Sequence, residues 1–210
     1  MARHKLTYAF DAYCGWCYGF GPTVREFATA NAHRIELTVL SGGLFTGNRA
    51  KPVSAYPYIP ASDVRIGELT GAVFGEGYTR AVAEGTAVLD SAAAATALAA
   101  LRKQAPGRTL EFAAALQRAW YRDGRGLADP ATLRAVAEDL DGVDADAAVA
   151  AFTDPATRRE AERDFRQVRS LGVDTFPTLL LHTPGGVQRL GGPMTKAHAL
   201  TRALDQYEQR

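Results

Sequence analysis

Asp11-Ala12-Tyr13-Cys14-Gly15-Trp16-Cys17-Tyr18-Gly19-Phe20 is the stretch on which the reading of this chain turns. It holds both cysteines of the sequence, two residues apart. Leu6-Thr7-Tyr8-Ala9-Phe10 precedes it, with Leu6, Tyr8 and Phe10 at every second position, which predicts a half-buried strand. Phe20, Val24, Phe27 and Ala28 follow at i, i+4, i+7 and i+8, one face of a helix. The cysteine pair therefore sits where a strand ends and a helix begins. The first helical turn has N–H groups without intrahelical partners, and the dipole adds partial positive charge there. A thiolate at that point is stabilised and its pKa falls. Cys14 is the better placed for this role. Cys17, one turn in, faces the interior and is close enough to close a disulfide onto Cys14.

Two other readings compete with a redox pair. Two buried structural cysteines can fall at this spacing by accident. C-x-x-C also supplies half of many metal sites, but a structural zinc needs four ligands. There are no further cysteines, and His4, His33, His182 and His198 are scattered. The strand–helix context favours the redox reading.

The run Asp-x-x-Cys-Gly-Trp-Cys-Tyr-Gly-Phe between strand and helix resembles the DsbA-type thioredoxin-fold oxidoreductases, in particular their FrnE-like branch. A second match lies far downstream, in Gly172-Val173-Asp174-Thr175-Phe176-Pro177-Thr178-Leu179-Leu180-Leu181. It resembles that family's Gly-Val-x-x-apolar-Pro-Thr run, whose proline is cis and faces the cysteines. The resemblance covers the two ends of the chain, and the middle fits as helical filler. It implies an α/β thioredoxin fold, with βαβ and ββα halves and a large helical insertion. The implied division is a discontinuous thioredoxin-like domain, 1–60 and 165–210, around an insertion at 61–164.

The 210 residues suffice for one good-sized domain, or for one with a large insertion. With 47% hydrophobic residues and a net charge of +1, nothing points to nucleic acid or an anionic membrane. No apolar run approaches the roughly 18–20 residues of a membrane span. Met1-Ala2-Arg3-His4-Lys5 leads directly into a strand, with no apolar leader and no cleavage site, so a cytoplasmic protein is expected. That compartment is reducing, which suits a cycling disulfide better than a structural one.

Along the chain, Ile35, Leu37 and Val39 alternate with Glu36 and Thr38 in a second strand ending at Ser41-Gly42-Gly43. The intervening helix should make it parallel to the first through a right-handed crossover. Pro22 lies inside that helix and should kink it or mark its first segment. Pro52, Pro57 and Pro60 mark 47–60 as a surface loop. Residues 61–160 read as alanine-rich helices that cover one side of a sheet. Asp90-Ser91, Thr109, Asp129-Pro130 and Asp154-Pro155 are candidate helix starts, and Gly172 ends the last of these helices. A strand from Phe176 to His182, a turn at 183–186 and a strand from Val187 to Leu190 form a hairpin. Thr195 can then cap a final helix carrying Leu200, Ala203, Leu204 and Tyr207.

Disulfide exchange needs an accessible attacking thiolate and a second thiol to displace it from a mixed disulfide. Cys14 fits the attacker and Cys17 the resolver. The resemblance implies a cis bond between Phe176 and Pro177, which sets the Thr175 backbone beside Cys14 to pair with an extended substrate peptide. A strand-initial proline is the plainer reading. Trp16 and Phe176 would line an apolar surface next to the sulfur, or serve as core residues. Tyr13 and Tyr18 carry the same two readings. Asp11 caps the helix or accepts protons near the pair, and capping is the preferred reading.

The expected activity is thiol–disulfide exchange on protein substrates, as oxidase, reductase or isomerase. Glutathione or a thioredoxin-type reductant is the expected electron partner, and no cofactor or metal is expected. The alternatives are a glutathione-dependent isomerase or transferase of the same superfamily, which carries serine where Cys14 stands, and a redox sensor that does not turn over.

Overall fold

The structure, a computed structural model, describes residues 3–209, so Met1, Ala2 and Arg210 lie outside it. Strand β1 (His4–Phe10) is followed by helix α1 (Gly15–Ala30) and strand β2 (Ile35–Ser41). β1 and β2 are parallel, in register from His4 opposite Ile35 to Phe10 opposite Ser41. At the other end of the chain, β5 (Thr178–Thr183) and β6 (Gly186–Gly191) form an antiparallel hairpin. α9 (Ala197–Glu208) follows it. β5 lies antiparallel to β1, giving the sheet order β2-β1-β5-β6. A βαβ half and a ββα half sharing one mixed sheet is the thioredoxin fold.

β1 departs from the half-buried strand its alternation predicts. From Leu6 to Phe10 every residue is buried, on both faces. Leu6, Tyr8 and Phe10 join the main core with Phe20, Val24 and Phe27 of α1 and Leu200 and Leu204 of α9. Ala9, on the other face, packs with Leu40, Leu180, Val168 and Val173. β1 is an interior strand with helices on both sides, so its small, weakly polar positions are covered too. A fully buried side chain such as Phe27 contributes roughly 1.5–3 kcal/mol.

Among the described residues, seven α-helices lie between the two halves. They are α2 (Ile59–Thr70), α3 (Glu76–Glu84), α4 (Ser91–Gln104), α5 (Thr109–Tyr121), α6 (Pro130–Glu138), α7 (Ala145–Thr153) and α8 (Pro155–Ser170). Three of the expected aspartate caps are present: the Asp90, Asp129 and Asp154 carboxylates accept N–H groups from α4, α6 and α8. Asp144 caps α7 in the same way. Gly172, with φ +72°, follows the end of α8.

Two threonines expected as caps have other partners. Thr109 is the first residue of α5, and its hydroxyl donates back to the Pro106 carbonyl at 2.6 Å. Thr195 Oγ1 accepts from the Gly192 N–H, and α9 starts at Ala197 with Lys196 as N-cap. The hairpin strand starts at Thr178 rather than Phe176, because Pro177 has no N–H to give a ladder. Pro22 lies within an unbroken α1. The stretch 47–60 is more ordered than a loop. It holds two single-turn 3-10 helices (Gly47–Arg49 and Val53–Ala55) and β3 (Lys51–Pro52), which pairs with β4 (Val88–Leu89).

α4 is buried almost all round, and alanine lets its neighbours come close. Ala92, Ala95 and Ala99 meet Ala161 and Phe165 of α8, while Ala97, Leu98 and Leu101 enter the main core. The Arg102 guanidinium grips the buried Asp164 carboxylate with two N–H groups, at 2.9 and 3.1 Å. Asp164 also accepts the Ser41 N–H at 3.3 Å, tying α4 and α8 to the end of β2.

Candidate active site

The chain leaves β1 at Phe10 and turns through Asp11, whose carbonyl accepts the Cys14 N–H at 3.1 Å. Cys14 is the N-cap residue of α1 in extended conformation (φ −87°, ψ 110°), and no side chain caps the helix there. The first-turn N–H groups thus face the Cys14 end with no side-chain acceptor. Cys17 is fully buried and Cys14 is 6% exposed, less open than an attacking thiol is expected to be from sequence. Cys14 lines a cavity. Burial pushes the Cys17 thiol well up, and its side-chain hydrogen bond to Cys14 adds to the shift. The Asp11 N–H donates to Cys17 Sγ at 3.4 Å.

Phe176 and Pro177 come back to this point from the far end of the chain. Their peptide bond is cis. The Cys14 thiol donates to the Phe176 carbonyl at 3.6 Å. It is this carbonyl, one residue beyond Thr175, that touches the sulfur. Thr175 is exposed, and its own carbonyl accepts the Thr178 hydroxyl at 2.9 Å. Trp16 and Phe176 are half-buried and line the same cavity as Cys14. Cys14, Cys17, Trp16, Phe176 and Pro177 thus converge, while Thr175 is exposed and does not line the cavity.

Asp11 does not cap α1. It is buried, and its carboxylate accepts the Tyr13 N–H at 3.0 Å, the Leu44 N–H at 2.8 Å and the Ser91 hydroxyl at 3.0 Å. The residue clamps the loop after β2 and the start of α4 onto the cysteine turn. Burial raises its pKa, and these hydrogen bonds work against the rise. Tyr13 is a core residue: its ring meets Trp120 edge-on at 5.4 Å, and its hydroxyl accepts the Leu127 N–H at 2.9 Å. Tyr18 stacks on Tyr121 at 4.6 Å and donates to the Val73 carbonyl.

Three residues of the site escape the sequence reading. A Cβ on Gly42 would lie 2.2 Å from the Phe176 ring, so only glycine lets that ring sit against the end of β2. Asp63 on α2 and Tyr78 on α3 line the cavity, with the tyrosine hydroxyl donating to the carboxylate at 2.7 Å. Burial pushes the Asp63 carboxyl up to about 6, against the Tyr78 hydrogen bond. A signal for Asp63 exists: it stands four residues after Ile59 and three before Ile66, a charge on the apolar side of its helix. Among the described residues, no three His, Cys, Asp or Glu side chains converge to hold a metal ion.

A thioredoxin fold with two cysteines at the first turn of α1 defines the class, and comparison with known proteins gives the family. The chain belongs to the DSBA-like thioredoxin domain family, whose sequence profile matches residues 5–199. Members of this family are thiol–disulfide oxidoreductases of the DsbA and DsbM kind. Among solved structures, the chain is similar to the cytosolic disulfide reductase DsbM from Pseudomonas aeruginosa. Identity is 28% over 98% of this chain and 100% of that one, with a TM-score of 0.80. The same protein solved with GSH matches at 27% identity over 98% of both chains, TM-score 0.77. A candidate protein disulfide isomerase from Nitrosomonas europaea shares the fold at TM-score 0.83, with 22% identity over 99% of this chain and 98% of that one. Among curated protein sequences nothing matches. Among the described residues, no helix is long and apolar enough to cross a membrane.

Proposed function

We propose that the protein is a cytoplasmic disulfide reductase in which Cys14 and Cys17 are the redox pair and glutathione returns them to the dithiol. The observation that carries this reading is the pairing of an uncapped helix start at Cys14 with a buried, proton-holding Cys17 beneath it. The first sulfur stands at a helix start whose first-turn N–H groups have no side-chain acceptor, and burial disfavours negative charge on the second. Such a pair divides into attacker and resolver. Cys14 attacks a substrate sulfur to form a mixed disulfide. Cys17 then loses its proton, attacks Cys14 and releases the substrate as a thiol. The similarity to a protein described as a cytosolic disulfide reductase, solved also with GSH, supports the direction and the electron donor.

In this reading Trp16, Thr175, Phe176 and Pro177 form the surface that receives the substrate next to the sulfur. Disulfides of proteins and of small thiols are the substrates. The test is insulin reduction driven by glutathione. Turnover by the native chain, absent from Cys14→Ser, is the expected result. Equal turnover by Cys14→Ser would overturn the reading.

A further inference from the structure

Cys14 opens onto a cavity of about 230 Å³. Rings of Tyr58, Tyr78, Trp120, Tyr121 and Phe176 form much of its wall. One charged side chain lines it, Asp63, and no lysine, arginine or histidine does. Asp63 Oδ1 lies 3.4 Å from where a Cβ on Gly15 would stand, so the carboxylate borders the residue that follows Cys14. Among the described residues its hydrogen-bond partner is the Tyr78 hydroxyl, and it joins none of the ion pairs.

We propose that this cavity selects small disulfides whose arm next to the sulfur carries a protonated amine, with Asp63 receiving the ammonium. The proposal deepens the redox reading and rests on it. An ammonium gains twice here. It meets a carboxylate partly withdrawn from water, where the attraction is stronger than in bulk. It also lies among aromatic faces, whose quadrupoles attract cations. A neutral arm of the same length gains neither. An anionic arm meets Asp63 with no cation in the wall to offset the repulsion. Burial already holds the Asp63 carboxyl near 6, and an arriving ammonium favours its charged form.

The exchange balances without further groups. The Cys14 thiolate attacks one sulfur of R–S–S–R. The Cys14–sulfur bond forms, the substrate S–S bond breaks, and R–S⁻ leaves and takes a proton from water. Cys17 gives up its proton, attacks the Cys14 sulfur and releases the second R–S⁻, which is protonated in turn. The pair loses two electrons and the substrate gains two. Two molecules of glutathione, oxidised to their disulfide, restore the dithiol.

The experiment mixes the pre-reduced native chain with three disulfides of similar length: cystamine (cationic), hydroxyethyl disulfide (neutral) and dithiodipropionate (anionic). Loss of the Cys14 thiol is followed by alkylation and mass spectrometry. Each rate is divided by that of the same disulfide with a free aliphatic thiol. The expected normalised order is cystamine, then hydroxyethyl disulfide, then dithiodipropionate, with the first ratio roughly five- to tenfold. In Asp63→Asn, which keeps an acceptor for Tyr78, that ratio should fall towards one. Equal normalised rates in the native chain, or a preference that Asp63→Asn leaves intact, would overturn the proposal while leaving the redox reading standing. If none of the three oxidises the pair, the redox reading falls and takes the proposal with it.

Discussion

The Cys14 thiol donates to the carbonyl of Phe176 at 3.6 Å, across 162 positions of sequence. That contact joins the βαβ half of the fold to the ββα half at the point where the chemistry is proposed. Its partners are held by different means. Cys14 is placed by the turn at Asp11 and the start of α1. Phe176 is placed by its ring, which lies where a Cβ on Gly42 would stand.

Gly42→Ala should therefore damage exchange. The added carbon would lie 2.2 Å from the tip of the Phe176 ring, which must swing away and reshape the wall beside Cys14. Overpacking of this kind costs about 1–3 kcal/mol. A misplacement of about 1 Å at a reacting centre can lower turnover up to about a hundredfold. Turnover and a thermal melt of the same sample check this, and the rate should fall by more than the stability loss accounts for.

Asp11→Ala should destabilise the protein. It removes the acceptor of two backbone N–H groups and the Ser91 hydroxyl in a buried setting. Each donor left unpaired costs about 1–3 kcal/mol, so a loss of several kcal/mol in a denaturant titration is expected. Asp11→Asn should recover part of it by keeping one carbonyl oxygen.

Asp164→Ala should cost about 3–5 kcal/mol, because it leaves the Arg102 guanidinium and the Ser41 N–H without their shared acceptor. Arg102 is part exposed, which sets the expectation at the lower end. The same titration measures it. The double variant Arg102→Leu, Asp164→Leu should lose less than Asp164→Ala alone.

Asp63 gives a pH dependence of known sign. Its folded pKa, about 6, stands above the ordinary carboxylate value, so folding favours the protonated form. The stability it contributes is present in full below about pH 4 and is lost as pH rises through about 6. Asp63→Asn should therefore melt above the native chain at pH about 7.5, and the gap should close near pH 4. Melting curves across that range check it. A carboxylate that costs stability beside the two cysteines is the pattern of a functional residue.

Much of the fold was legible because its strongest signals are local. The cysteine turn, the Asp-Pro helix starts at 129–130 and 154–155 and the Gly-Val-Asp-Thr-Phe-Pro run each lie within a few residues. Other pairings between distant segments were not legible. β3 and β4 have two residues each, too few to show a period. Thr109 and Thr195 are good caps by type, yet each found a nearer partner in its own turn. Asp11 is a cap by position, but its three donors include Leu44 and Ser91, which only the folded chain brings near. Asp63 and Tyr78 meet between two helices that the sequence reading did not separate. Gly42 and Phe176 meet across the sheet, where no local pattern could show it.

The most direct test of the redox pair is intact-mass analysis of Cys17→Ser and Cys14→Ser after exposure to glutathione disulfide. Cys17→Ser should hold one glutathione on Cys14, because no resolving thiol remains to release it. Cys14→Ser, with its buried Cys17, should stay unmodified, and the native chain should pass to an internal disulfide. An adduct on Cys17 in Cys14→Ser, or no adduct on Cys14 in Cys17→Ser, would contradict the assignment of attacker and resolver.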